Sequence, residues 1–156
     1  MSPVGGGAYD LGRFIEAQQP VYASVCAELT AGSKRSHWMW FIFPQLRGLG
    51  ASPTARHFAI SSLGEARAYL AHPLLGERLR ECTRLVNGVA GSTAEVIFGY
   101  PDYLKFRSCV TLFAQAAGES PAAADRIFGA ALARYFGGEP DPLTLKLLAP
   151  GATSAS

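Results

Sequence analysis

Four polar residues, Lys34, Arg35, Ser36 and His37, stand directly before an aromatic stretch, WMWFIF, at positions 38–43. Two cations and a histidine beside aromatic rings could bind a phosphate or carboxylate attached to a planar ring. The cations would neutralise the anion and the aromatic side chains would offer flat faces. If the stretch is a helix, the unpaired N–H groups of its first turn also favour an anion. This segment therefore predicts an anion-binding site.

A second unusual segment is FGYPDYLKFRSCVTLF, residues 98–113. At helical spacing, Asp102 and Lys105 fall on the same face as the apolar residues Phe106 and Cys109. Charges on the buried face of a helix must be paired or must line a cavity, because an isolated buried charge is costly. Both alternatives stay open: the two charges form an i, i+3 pair at the helix start, or they face a polar pocket.

We expect the two segments to pack side by side, with their polar ends converging on a pocket for an anionic small molecule such as a nucleotide or a phosphorylated metabolite. The predicted ligand-binding residues are Lys34, Arg35, Ser36, Trp38, Trp40, Gln45, Arg47, Lys105 and Ser108. If a reaction takes place, His37 or Asp102 is the natural general base, and hydrolysis or group transfer is the simplest reaction class. The residues alone leave open whether the protein is an enzyme.

Two other interpretations fit the same residues. The Trp-rich helix could be partly exposed and bind a protein partner through aromatic anchors, without enzymatic activity. Alternatively, every charge is paired for structural reasons and no cavity remains between the two segments. A deep concavity reached by Lys34, His37 and Lys105 would favour the pocket, whereas a flat exposed aromatic patch would favour the interaction module.

The elements that must position these residues are predicted to be helices. Pro20 is expected to kink or split the first helical run. The aromatic stretch is interpreted as a buried helix that Ser36 caps and Pro44 ends, because no partner strand is visible for it. Helix starts are indicated by polar residues at capping positions. These starts are Asp10, Ser52-Pro53, Ser62 with Glu65, Ser92 with Glu95, Ser120-Pro121 and Asp141-Pro142, the last opening a helix that could close the pocket.

The predicted fold class is all-α: a single multi-helical domain, residues 9–149, of roughly seven or eight short helices around the buried aromatic helix. Residues 1–8 and 150–156 are predicted to be flexible tails. The chain has 156 residues, of which 49% are hydrophobic and 17% are charged. That length and composition suit one domain with a substantial core.

Composition also excludes several function classes. A net charge of +2 is too weak to indicate nucleic-acid binding. The three cysteines and three histidines lack zinc-ligand spacing, so we predict neither a metal site nor a cofactor. No signal peptide is recognisable, and the longest apolar run is too short to cross a bilayer. A cytoplasmic location without membrane contact is the expectation, and the oligomeric state is not indicated.

Several stretches together resemble the domain-of-unknown-function family 1810, some members of which are mislabelled calpastatin. The resemblance covers roughly residues 9–148. It rests on DLGRFIEAQQPVY, ELTAGSKRSHWMWFIFPQLRGLG, ISSLGEARAYLAHPLLGERL, IFGYPDYLKFRSCVTLF and DPLTLKLL. It implies a single all-helical domain and brings no established activity, cofactor or catalytic residue. Residues 34–50 and 98–113, selected above for their chemistry, are also the recognisable segments of the family.

Overall fold

The computed structural model describes residues 9–149, so both predicted tails lie outside the described residues. Within this range the chain forms ten α-helices and one 3₁₀ turn, Ala123–Asp125, and no β-strand. The all-α prediction is confirmed, with more helices than the seven or eight expected. The helices are α1 Gly12–Gln18, α2 Tyr22–Thr30, α3 Met39–Ile42, α4 Pro53–His57, α5 Leu63–Ala71, α6 Leu75–Asn87, α7 Ala94–Phe98, α8 Asp102–Ala117, α9 Ile127–Phe136 and α10 Pro142–Leu148. None of them is both long and apolar enough to cross a bilayer.

Three helix starts follow the predicted capping chemistry. Ser52 accepts a hydrogen bond from the Ala55 N–H at 3.1 Å, and Ser62 accepts one from the Glu65 N–H at 3.1 Å. Asp141 accepts from the backbone N–H of the third helical residue of α10, also at 3.1 Å. Each side chain satisfies an N–H group that has no partner inside its helix. Pro20 splits the first helical run into α1 and α2, as predicted.

The other predicted starts are wrong in position. Leu11, not Asp10, precedes α1, and no side chain caps that helix. Thr93 caps α7 in place of Ser92, because this register buries Ala94 and Ile97 in the core. The Ser120-Pro121 pair precedes the 3₁₀ turn rather than a helix, and α9 begins only at residue 127.

Helix α8 lies in the core and packs against α5, α7, α9 and α10. Its apolar face is fully buried over Phe106, Cys109, Leu112 and Phe113. This confirms the face predicted from helical spacing. Because α8 contacts so many neighbours, it fixes the positions of Asp102 and Lys105 relative to the rest of the molecule.

The aromatic stretch packs against α8 as expected, but its helix is much shorter than predicted. Helix α3 has four residues, Trp38 occupies the position before it, and Ser36 does not cap it. The ring of Phe43 contacts Phe106 edge to face, with 5.0 Å between the centroids, and it contacts Phe98 of α7 at 5.8 Å. The stretch is therefore part of the core, with residues 33–37 as a loop in front of it.

Candidate functional site

Glu28, in the last turn of α2, determines the path of the loop before α3. Its Oε1 accepts hydrogen bonds from the backbone N–H groups of Arg35, at 2.7 Å, and Ser36, at 3.0 Å. The same oxygen accepts from Trp38 Nε1 at 3.0 Å, and Oε2 accepts from Ser36 Oγ at 2.7 Å. Burial alone would raise the pKa of Glu28, but these hydrogen bonds outweigh it and lower the pKa to about 2.

These hydrogen bonds explain why Ser36 does not cap a helix and why no anion site forms at a helix start in residues 34–37. The N–H groups of Arg35 and Ser36 are bound by a carboxylate of the protein itself, so the chain stays a loop until Met39. Sequence reasoning missed Glu28. The available signal was its position, because a carboxylate in the last turn of a helix opposes the helix dipole and needs other partners.

Lys34, Asp102 and Lys105 form an ionic cluster where the two predicted segments meet. Lys34 Nζ lies 2.9 Å from Asp102 Oδ2, and Lys105 Nζ lies 3.5 Å from Asp102 Oδ1. The side chains are 8%, 21% and 29% exposed, in chain order. The Lys34 ammonium also donates to the carbonyl of Ser36 at 2.5 Å. Two ammonium groups thus share one carboxylate, which leaves the cluster with a net positive charge.

Each lysine of the cluster also faces a tryptophan. Lys34 Nζ lies 5.0 Å from the ring centroid of Trp38, and Lys105 Nζ lies 5.4 Å from that of Trp40. These distances are within the range of cation–π attraction. The two tryptophans differ in access, because Trp38 is only 1% exposed whereas Trp40 is half-buried. Trp40 borders a cavity.

That cavity, of about 400 Å³, lies between α3, the loop leading into α4, and the first turns of α8 and α10. Its volume falls within the range of small-molecule sites. Four predicted residues line it: Trp40, Gln45, Lys105 and Ser108. Its other lining residues are Leu49, Gly50, Ala51, Ser52, Ala55, Pro101, Leu104, Asp141 and Leu143.

Asp141 joins α10 to α8 at the side of this cavity. Its Oδ2 accepts from Thr144 Oγ1 at 2.5 Å and lies 3.0 Å from Ser108 Oγ. Its backbone N–H donates to Thr111 Oγ1 at 2.9 Å. The sequence indicated Asp141 as the cap of a helix that could close the pocket; the structure confirms the cap, and Asp141 itself lines the cavity. The carboxylate brings a negative charge to the end of the cavity next to Ser108.

The other predicted site residues lie outside this cavity. Among the described residues, Arg35 and His37 are exposed in the loop before α3 and do not line it. Arg47 is exposed and borders a different cavity, together with Arg13 and Arg56. Ser36 and Trp38 are hydrogen-bonded to Glu28. Lys34 and Asp102 are connected to the cavity indirectly. The Asp102 carboxylate pairs with Lys34 and also with Lys105, and Lys105 lines the cavity.

The cavity can therefore offer an ammonium group, an aromatic face, an amide, two hydroxyl groups and a carboxylate, with apolar side chains between them. Such a set suits recognition of a ligand that has a flat apolar part and a polar edge. Within residues 9–149, no three His, Cys, Asp or Glu side chains are grouped as metal ligands.

The chain matches known proteins over nearly its whole length. Residues 8–148 match the family described as "Protein of unknown function (DUF1810)". A crystal structure at 1.38 Å of the conserved hypothetical protein Rv1873 from Mycobacterium tuberculosis is 58% identical. It matches with a TM-score of 0.86, over 91% of this chain and 98% of that chain. No curated protein matches this chain. With 141 of its residues inside the family match, this chain belongs to the DUF1810 family.

Proposed function

We propose that this chain is a cytoplasmic protein that binds a small anionic molecule with a planar ring, of the nucleotide or phosphorylated-metabolite class, in the cavity beside α3 and α8. Lys105 binds the anionic group and Trp40 stacks on the ring. One observation carries this proposal: Lys105 and Trp40 line the same cavity of about 400 Å³, and Lys105 belongs to a cluster with more positive than negative charge.

The charge of the cluster favours an anion. Asp102 neutralises only one of its two ammonium partners, and the Lys34 side chain is nearly inaccessible, at 8% exposure. Lys105 is the more accessible of the two lysines, and its ammonium group, which has three N–H donors, lies 3.5 Å from Asp102 Oδ1. A bound phosphate or carboxylate would compensate the charge of this cluster beside Lys105; the Asp141 carboxylate, the other charged group of the lining, interacts with Ser108 and Thr144.

The apolar part of the lining favours a ligand with a ring. Leu104 and Leu143 line the cavity and are 39% and 48% exposed. A planar group held against Trp40 would cover them and remove apolar surface from water. The amide of Gln45 and the hydroxyl of Ser108 would then bind polar atoms at the edge of the ring.

We propose binding rather than a reaction. His37, predicted as a general base, is exposed outside the cavity, and both oxygens of Asp102 are bound by ammonium groups. Burial also weighs against the interaction module, because Trp38 is 1% exposed and cannot anchor a protein partner. Asp102 is best understood as a positioning residue that orients Lys105.

A thermal-shift experiment tests the proposal. The purified chain is screened against adenosine 5′-monophosphate, glucose 6-phosphate and succinate. A compound that binds only the folded state raises the Tm, and the stabilisation grows with the logarithm of its concentration relative to Kd. We expect the nucleotide to raise the Tm, and we expect Lys105→Ala and Trp40→Leu to remove that rise.

Two further variants serve as controls. Lys146→Ala removes an exposed lysine of α10 that does not line the cavity, and it should keep the full rise. Arg47→Ala tests the other cavity, and it should also keep the rise. The proposal fails if no compound raises the Tm, if the rise survives Lys105→Ala, or if Arg47→Ala is the variant that removes it.

A further inference from the structure

An arginine-rich cavity of about 430 Å³ lies between the start of α1, the end of α4 and the start of α5. Three arginines, Arg13, Arg47 and Arg56, line it together with His57. Its lining shares no residue with the cavity beside α3 and α8. Of its lining residues, Ala59 is the one without a polar side-chain group. This second cavity is therefore built for a polar ligand rather than for one with a ring.

A buried ion pair fixes one wall of this cavity. Arg13 Nη2 lies 3.1 Å from Glu65 Oε2, and the two side chains are 12% and 3% exposed. Arg13 also donates to the carbonyl groups of His57, at 2.8 Å, and Ala59, at 2.9 Å. Glu65 Oε1 accepts from the Ser61 N–H at 2.7 Å. These contacts hold the segment that follows α4 against α1 and α5.

Arg47 is attached to the same segment by its backbone. Its N–H donates to the Ile60 carbonyl at 2.7 Å, and the Ile60 N–H donates to the Gln45 carbonyl at 2.8 Å. This short parallel bridge places Arg47 beside the wall that carries the last turn of α4, where Arg56 lies. The two arginines thus reach one cavity from separate parts of the chain.

The charges of the lining leave Arg47 and Arg56 available to a ligand. Both are exposed, and neither forms an ion pair in the part of the chain that the structure describes. The residues beyond that part contain no Asp or Glu. The Arg13–Glu65 pair is neutral, so the two guanidinium groups are opposed only by the exposed carboxylate of Asp10 within the lining.

We infer that this cavity binds a small polyanion with two neighbouring phosphate groups, as in inorganic pyrophosphate. A guanidinium group matches two phosphate oxygens at once, so Arg47 and Arg56 suit two phosphate groups. The ring of His57 and the hydroxyl of Ser61 supply further hydrogen-bond donors in the lining. Because the lining is almost entirely polar, the ligand needs no apolar part.

Isothermal titration calorimetry of the full chain with pyrophosphate tests the inference. We expect one pyrophosphate per chain, with affinity weakened about tenfold or more in Arg47→Ala and in Arg56→Ala, because each loses charge-assisted hydrogen bonds. Arg67→Ala is the matched control, since it removes an exposed arginine of α5 that does not line the cavity. It should bind pyrophosphate like the parent chain.

Three further titrations sharpen the assignment. Asp10→Asn should bind pyrophosphate about threefold more tightly, because it removes the opposing charge. Orthophosphate should bind the parent chain about tenfold or more weakly than pyrophosphate, since it offers one phosphate group to two arginines. Lys105→Ala should keep pyrophosphate binding, which separates this site from the proposed nucleotide site.

Several results would overturn the inference. The first is a parent chain that neither gives a heat signal nor gains Tm with pyrophosphate. Others are unchanged affinity in Arg47→Ala and Arg56→Ala, both verified as folded by circular dichroism, or an equal loss in Arg67→Ala, which would show nonspecific attraction by positive charge. A loss confined to Lys105→Ala would place pyrophosphate in the other cavity and overturn this site alone.

Discussion

At the scale of residues, the side chain of Glu28 holds the loop before α3 in place. Its two oxygens bind two backbone N–H groups, one hydroxyl and one indole N–H, all from residues 35–38. Hydrogen bonds to a charged acceptor are stronger than neutral ones. The loop therefore depends on the ionised form of a single side chain.

We predict that Glu28→Gln lowers the free energy of unfolding at neutral pH by about 1–3 kcal/mol, measured by urea denaturation. Folding depresses the pKa of Glu28 from 4.5 to about 2, so its ionised form stabilises the folded state above pH 4.5. That stabilisation should be lost as the pH falls from 4.5 toward about 2, and the two proteins should converge there. Glu119→Gln, at an exposed carboxylate, is the control and should stay within about 0.5 kcal/mol of the parent chain at neutral pH. If the free energies of unfolding of the parent chain and Glu28→Gln differed by the same amount down to the lowest pH, ionised Glu28 would not be what stabilises the loop.

Asp102 is the second residue whose partners decide local structure. We predict that Asp102→Asn lowers the free energy of unfolding by about 1–3 kcal/mol, because it leaves the nearly inaccessible Lys34 ammonium without its counter-charge. Glu139→Gln is the comparison, since its pair with Arg107 is 4.0 Å long and the Glu139 side chain is 80% exposed. That variant should stay within about 0.5 kcal/mol of the parent. Equal effects of the two variants would show that Lys34 does not need Asp102.

At the scale of elements, α8 organises the core. We predict that Leu112→Ala lowers the free energy of unfolding by about 2–5 kcal/mol, because Leu112 is fully buried and its removal leaves a cavity in the core. Gln115→Ala changes an exposed position of the same helix and should have an effect within about 0.5 kcal/mol. Urea denaturation of both variants checks the difference. A small loss for Leu112→Ala would mean that α8 is not central to the core.

Local sequence signals predicted the helix starts well where the capping side chain and the N–H group that donates to it are close in the chain. Ser52, Ser62 and Asp141 cap helices because their side chains and the N–H groups they bind are three residues apart. Ser36 failed as a cap because Glu28, from the preceding helix, binds the N–H groups that a longer helix would have left unpaired. Periodicity and capping patterns carry no information about such a contact between elements.

At the scale of the whole molecule, the sequence predicted that residues 34–50 and 98–113 pack together. It did not predict which residues line the cavity. Helical spacing placed Asp102 and Lys105 on the buried face and left open whether they are paired or line a cavity; in the structure they are paired, and Lys105 also lines the cavity. The position of α10 and the loop before α4, which close the cavity, depends on contacts between distant residues such as Ser108 and Asp141. Four of the residues selected from the sequence line this cavity, whereas Arg35 and His37 do not.

The binding proposal is tested most directly by the two indole N–H signals in an ¹H–¹⁵N NMR spectrum, since the chain has two tryptophans. Trp40→Phe assigns the signals. The Trp40 indole borders the cavity, whereas the Trp38 indole is buried and donates to Glu28. Titration with adenosine 5′-monophosphate should shift the Trp40 signal saturably, leave the Trp38 signal in place, and have no effect in Lys105→Ala. A spectrum in which neither signal moves, or in which the Trp40 shift persists in Lys105→Ala, would contradict a ligand site formed by Trp40 and Lys105.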